Sequence, residues 1–244
     1  MKLTKILGAS LIGMSVMFLA FQTADHEKWA AGIRALAMVL LTTLYLIGNR
    51  QKSILFSSFL VVFTIADIFN FISFNEGTSL SDAQYKVFYF FINILYIFAY
   101  SLLILRIFST LNVKAVFKKF PLQIFLLIVL GIFCVHYVSV TVKGADLLSG
   151  SEYALEMAYN AIIVFLMCLA LINYMYRDDQ KAIHILIGSI FIVFSEVLQL
   201  AYFYVAPFNI VNVMCSVFFV LAFLFLYMQS RLKHQIPIQY TYDR

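Results

Sequence analysis

The sequence predicts an all-α fold, a polytopic bundle of eight transmembrane helices. Three observations predict it. Hydrophobic residues make up 64% of the 244-residue chain and charged residues 12%, with a mean hydropathy of +0.95; a soluble domain has about 45–50% and about 25%. Eight apolar runs each reach the roughly 20 residues that a helix needs to cross hydrocarbon. The basic residues gather in alternate loops. These features exclude a soluble enzyme, a disordered chain and an ordinary nucleic-acid-binding domain. The net charge of +5 therefore reads as membrane topology, with no nucleic-acid partner.

The runs fall near residues 4–22, 29–48, 53–74, 87–107, 120–141, 154–175, 182–204 and 208–230. They are helices because lipid offers no partner to an unpaired backbone group. The alternation of a membrane β-strand is absent. Lys2 and Lys5 precede the first span. Read alone, the first 25 residues also fit a signal peptide, but the apolar run from Ile6 to Phe21 is long and lacks an A-x-A site, which favours a retained span. Arg50 and Lys52 separate the second and third spans, and the polar segment Asn75–Lys86 separates the third and fourth. The most basic segment, Arg106–Lys119, follows the fourth span and should lie on anionic headgroups. Val142–Glu152 precedes the sixth span, Arg177 and Lys181 follow it, and Ala206–Asn209 links the last two. The transmembrane domain is thus 1–230, with a polar tail over 231–244.

Thirteen of the 17 Lys and Arg residues fall on one side by this count. The positive-inside rule then places both termini in the cytoplasm. The expected location is a bacterial cytoplasmic membrane. Cys134, Cys168 and Cys215 all lie in apolar runs without CxxC spacing, which supports neither a disulfide frame nor a zinc site.

Ionisable residues inside spans are costly and serve as functional candidates. Arg34, Asp67, His136, Glu156 and Glu196 all map to the outer half of the bilayer under this topology. Asp67 and Glu196 lie deepest, each about 14 residues, or roughly 21 Å, along an outward-running helix. Thr64, Asp67 and Asn70 share one helix face, and Glu196 with Gln199 repeats the carboxylate-x-x-amide spacing. Tyr89, Asn93, Tyr96 and Tyr100 make a stripe on the fourth span. Glu152, Glu156 and Asn160 do so on the sixth, and Asn209, Asn212 and Ser216 on the eighth.

The third and seventh spans match in this pattern, and so do the fourth and eighth (Ile92-Asn93 against Val211-Asn212). That suggests two four-helix repeats, with Asp67 and Glu196 facing each other across a central cavity. The structural alternative is that amides serve as interhelical glue, that Arg34 merely pairs with one carboxylate, and that Tyr85, Tyr89, Tyr137, Tyr153, Tyr202 and Tyr204 form an interfacial belt.

At these residues the chain resembles the YhhN family of eight-span membrane proteins, which includes lysoplasmalogenases. The stretches that carry the resemblance are Arg34-Ala35-Leu36, Ala66-Asp67, Phe90 to Tyr96 and Ile190 to Glu196. The chain departs from the family pattern in having Arg34 for a lysine, Asn93 for a histidine and Glu196 for an aspartate. The resemblance implies a membrane hydrolase that cleaves the vinyl-ether bond of a lysoplasmalogen. Its partner is then a lysophospholipid or other amphipathic lipid, and no cofactor or metal is called for.

The residue types suit that chemistry. Vinyl-ether hydrolysis begins with a proton delivered to carbon, which gives an oxocarbenium ion; water adds and the hemiacetal collapses. Two carboxylates close together in low dielectric do not both ionise readily, so one keeps its proton. Glu196 is the expected acid and Asp67, beside Arg34, the anion that stabilises the cation or orients water. The reverse assignment stays open. Arg34, Asn70, Asn93, Tyr96, Glu156, Asn160, Gln199 and Asn212 are the expected substrate-binding residues. A proton-coupled carrier or a non-catalytic lipid-binding protein is the alternative, although the spans lack the Gly/Pro interruptions usual at carrier sites.

Overall fold

In the computed structural model, which describes residues 2–49, 52–76, 81–144 and 148–232, local chemistry sets where each helix starts and stops. The helices are α1 (Lys2–Thr23), α2 (Glu27–Gly48), α3 (Ile54–Glu76), α4 (Asp82–Thr110), α5 (Val113–Lys119), α6 (Pro121–Gly144), α7 (Gly150–Arg177), α8 (Gln180–Tyr204) and α9 (Asn209–Ser230). Among the described residues, eight of these are long and apolar enough to cross a membrane. That architecture is compatible with an integral multi-pass protein.

Two helices begin earlier than the apolar runs suggest, and both starts are capped. Ser81 Oγ accepts from Gln84 N, while Gln84 Oε1 accepts from Ser81 N at 3.0 Å, so α4 starts at Asp82. Glu152 Oε2 accepts from Ser149 N at 2.8 Å, so α7 starts at Gly150. The basic loop is not all loop. α4 continues to Thr110 and carries Arg106 inside the bundle, and Asn112 then caps the short α5 by accepting from Ala115 N at 3.2 Å. α7 ends at Asp178 in a left-handed conformation (φ 48°), and Asp179 caps α8 by accepting from Ala182 N at 2.7 Å. The predicted tail lies outside the described residues from 233 onward.

The helices pack as a closed ring in the order α1, α2, α3, α4, α7, α8, α9 and back to α1. α6 stands outside it against α7, with most of its side chains facing outward. Two equivalent four-helix units would seat α4 on α6 as α9 is seated on α1; here α4 turns its second face to α7 instead. The tightest pair is α8 with α9, where Gly188 lies under Leu226 and the backbone of Ala222. Lipid gives helices no hydrophobic reason to associate, so such close packing and buried hydrogen bonds must do so. Between α2 and α3 the Thr42 and Thr64 hydroxyls meet at 2.8 Å. An aromatic cluster fills the ring's middle: Phe63 lies 4.9 Å from Tyr96 and 4.7 Å from Phe223, centroid to centroid.

The start of α1 and the ends of α2 and α9 meet, with Gly48 beside Thr4 and Arg231, and Asn49 Nδ2 donating to Ser230 O at 2.9 Å. This is the basic end of the bundle. The charged candidates from the sequence sit toward the far end.

Candidate functional site

The site starts with an ion pair. Arg34 on α2 donates through Nη2 to Asp67 Oδ1 at 2.6 Å and through Nε to Oδ2 at 3.3 Å. Tyr96 on α4 donates to the same Oδ1 at 2.6 Å. The Arg34 guanidinium also lies 4.3 Å from the centre of the Phe219 ring. The Asp67 side chain is 1% exposed and that of Arg34 20%. A charge this deep is tolerated because both carboxylate oxygens are bonded and the counter-charge is present.

Arg34 joins two hollows. On one side is a polar cavity of about 140 Å³ toward the far end, lined by Asp67, Asn70, Gln199, Asn212 and Ser216. Glu27 and Tyr202 stand at its mouth, where a shallow, open depression continues over His26 and Lys28. Tyr202 Oη donates to Glu27 Oε1 at 2.8 Å and Asn212 Nδ2 donates to the same oxygen at 3.1 Å. On the other side an apolar groove of about 300 Å³ runs between α1, α2 and α9 toward the basic end, past Leu11, Val16, Met38 and Leu41. Phe18, Arg34 and Phe219 line both.

The α4 stripe is real, and each of its tyrosines holds one carboxylate. Tyr89 donates to Glu156 at 3.1 Å, Tyr96 to Asp67, and Tyr100 to Glu196 at 2.9 Å. Tyr159 also stands close to Glu196. This corrects the expectation that Asp67 and Glu196 face each other across a central cavity. Tyr96 and Tyr100 are one helical turn apart, so the carboxylates they hold are offset along α4. Glu196 is not among the residues that line the polar cavity.

The other candidates divide. Asn70, Gln199 and Asn212 line the cavity with Arg34 and Asp67. Asn93 instead donates to its own helix at Tyr89 O, at 2.8 Å. Glu156 is buried at Tyr89 rather than at Arg34; Asn160, one turn on along α7, is buried too, and its Nδ2 has no partner. His136 is exposed on α6, away from the ion pair.

Sequence reading missed Glu27, Gln22 and Tyr202. Glu27, Ala31 and Arg34 recur at steps of four and three, one face of α2; the signal is hidden in sequence because Glu27 lies just outside the apolar run. Tyr89 and Tyr202 have the positions of an interfacial belt, yet both hold carboxylates. No family model, curated protein or solved structure matches the chain.

Proposed function

We propose that this protein is a membrane-embedded hydrolase of single-chain lipids that cleaves the vinyl-ether bond of a lysoplasmalogen. The observation that supports this reading is the meeting of a polar cavity and an apolar groove at Arg34 and Asp67. That shape suits a molecule with one long chain and one polar head. In this reading the alkenyl chain lies in the groove, the headgroup faces Glu27 at the mouth, and the vinyl ether sits beside the ion pair.

Asp67, anionic beside Arg34, stabilises the oxocarbenium ion and orients the water that attacks it. Glu196 stands one turn along α4 and outside the cavity lining, so in this reading it supplies the proton to carbon after its carboxyl swings away from Tyr100 toward the ion pair. Proton addition breaks the carbon–carbon double bond's π component. Water adds to the resulting cation, and the hemiacetal expels the glycerol oxygen with a proton. The products are a fatty aldehyde and a glycerophospho headgroup, with one water consumed. The far end faces outside the cell and the basic end the cytoplasm.

The test is aldehyde release from a lysoplasmalogen by the purified protein. Wild type releases aldehyde, and Asp67→Asn lowers the rate by about 100-fold or more while staying folded. Glu196→Gln does the same. Full activity in Asp67→Asn overturns the reading, and full activity in Glu196→Gln removes that residue from the chemistry. No aldehyde from wild type, with lysolipid retained through purification, identifies a lipid-binding protein instead.

A further inference from the structure

We propose a second site, at the basic end, that binds a phosphate-bearing anion between α4, α7 and α8. It is independent of the hydrolase reading and uses none of its residues.

The first observation is a cation without a counter-ion. Arg106 on α4 is 8% exposed. Its Nη2 donates to Gln229 Oε1 at 2.9 Å and its guanidinium lies 4.5 Å from the centre of the Phe56 ring. Its Nη1 has no partner, and no carboxylate among the described residues pairs with it. Burying a charge in this way is unfavourable unless something of opposite sign joins it. Asp67 shows the contrast, since it meets a guanidinium and a tyrosine at once.

The second observation is an amide with nothing to bond. Asn173 on α7 is 1% exposed, and neither its Nδ2 nor its Oδ1 has a partner. Helix register puts it at about the depth of Arg106. The ends of the two helices are tied by Arg177, whose Nη2 donates to Thr110 O. Asn173 lies four residues before Arg177 and Arg106 four before Thr110, so each shares the face of that joint one turn deeper.

The third observation is further positive charge. Lys181, in the first turn of α8, lies within electrostatic range of both Arg106 and Arg177, and Arg177 Nε has no partner. Asp179 is the acid in this group, and its Oδ1 is engaged in capping α8 through Ala182 N. Arg106 and Arg177 therefore both lie within electrostatic range of Lys181, with Asp179 the acid among them, and Asn173 offers an unbonded amide one turn from Arg177. A guanidinium fork beside an ammonium matches the oxygens of a phosphate. The ligand chemistry is a phosphate group, carried either by a free anion or by the headgroup of an anionic phospholipid in the leaflet at this end.

The experiment measures the thermal unfolding midpoint of the full chain. Inorganic phosphate is titrated in detergent against chloride at equal ionic strength, and phosphatidylglycerol is compared with phosphatidylcholine in nanodiscs. Wild type is expected to gain about 2–4 °C from a phosphate-bearing partner. A response to inorganic phosphate identifies a free anion, and a response to phosphatidylglycerol alone identifies a lipid headgroup. Lys181→Gln is expected to need about tenfold more ligand, the loss of one charge-assisted bond. Asn173→Asp, which supplies a built-in anion next to Arg106, is expected to raise the midpoint without ligand and to abolish the response. No response to phosphate or phosphatidylglycerol overturns the proposal, as does a response of wild-type strength in both variants. Should Asn173→Asp not fold, the Lys181→Gln titration decides.

Discussion

Arg34 and Asp67 show what it takes to keep a charge deep among apolar helices. The pair is bidentate, one oxygen also receives the Tyr96 hydroxyl, and the guanidinium stacks on Phe219. Removing one partner leaves the other charged and alone. Asp67→Ala is therefore expected to destabilise the fold by about 3–5 kcal/mol, and Tyr96→Phe by about 1.5–3 kcal/mol. Denaturant unfolding in detergent checks both, and equal losses from the two variants would contradict the geometry. Glu27 carries a different expectation. Its carboxylate oxygen accepts two hydrogen bonds that an amide oxygen can also accept. Glu27→Gln should leave stability nearly unchanged while raising KM for a lysolipid with a cationic headgroup, by about tenfold with kcat retained. The sequence showed which residues were costly to bury, because a lone ionisable group in an apolar run stands out. It could not show their pairing. Asp67 and Glu196 look equivalent in sequence, and only the turn of α4 between Tyr96 and Tyr100 separates them.

At the scale of the helix, capping explains where the elements begin and close approach explains which of them adhere. Ser81 with Gln84 and Ser149 with Glu152 were legible as capping patterns, yet the apolar runs alone drew attention past them. Arg106 looks like a loop cation in sequence because positive-inside counting cannot tell the end of a 29-residue helix from a loop. The α8–α9 pair rests on small residues. A Cβ at Gly188 would lie 3.1 Å from the Leu226 side chain and 3.3 Å from the Ala222 carbonyl oxygen. Gly188→Val should destabilise the protein by about 1–3 kcal/mol, read as a lower unfolding midpoint, whereas Gly8→Val on α1, where a Cβ meets nothing within 4 Å, should not. Equal effects would mean that α8 and α9 are not packed this closely.

The described residues form a ring of seven helices with α6 and the short α5 outside it, and that order is what turns scattered polar residues into a site. α2, α3 and α4 bring Arg34, Asp67 and Tyr96 together; α8 and α9 add Gln199 and Asn212. The number of spans followed from composition and run length. The neighbour order did not, because apolar faces are chemically alike and the sequence does not say which will meet. Orientation is testable directly. In a background without native cysteines, Asp82→Cys at the far end should react with an impermeant thiol reagent in intact cells, and Lys114→Cys at the basic end should not; the reverse would invert the topology. The chemistry is tested most directly by running the hydrolysis in D2O and analysing the aldehyde by mass spectrometry. Proton delivery to carbon predicts one deuterium on the carbon next to the carbonyl, in a product that the Asp67→Asn variant forms about 100-fold more slowly. Aldehyde without that deuterium, or formed equally by the variant, would contradict the account.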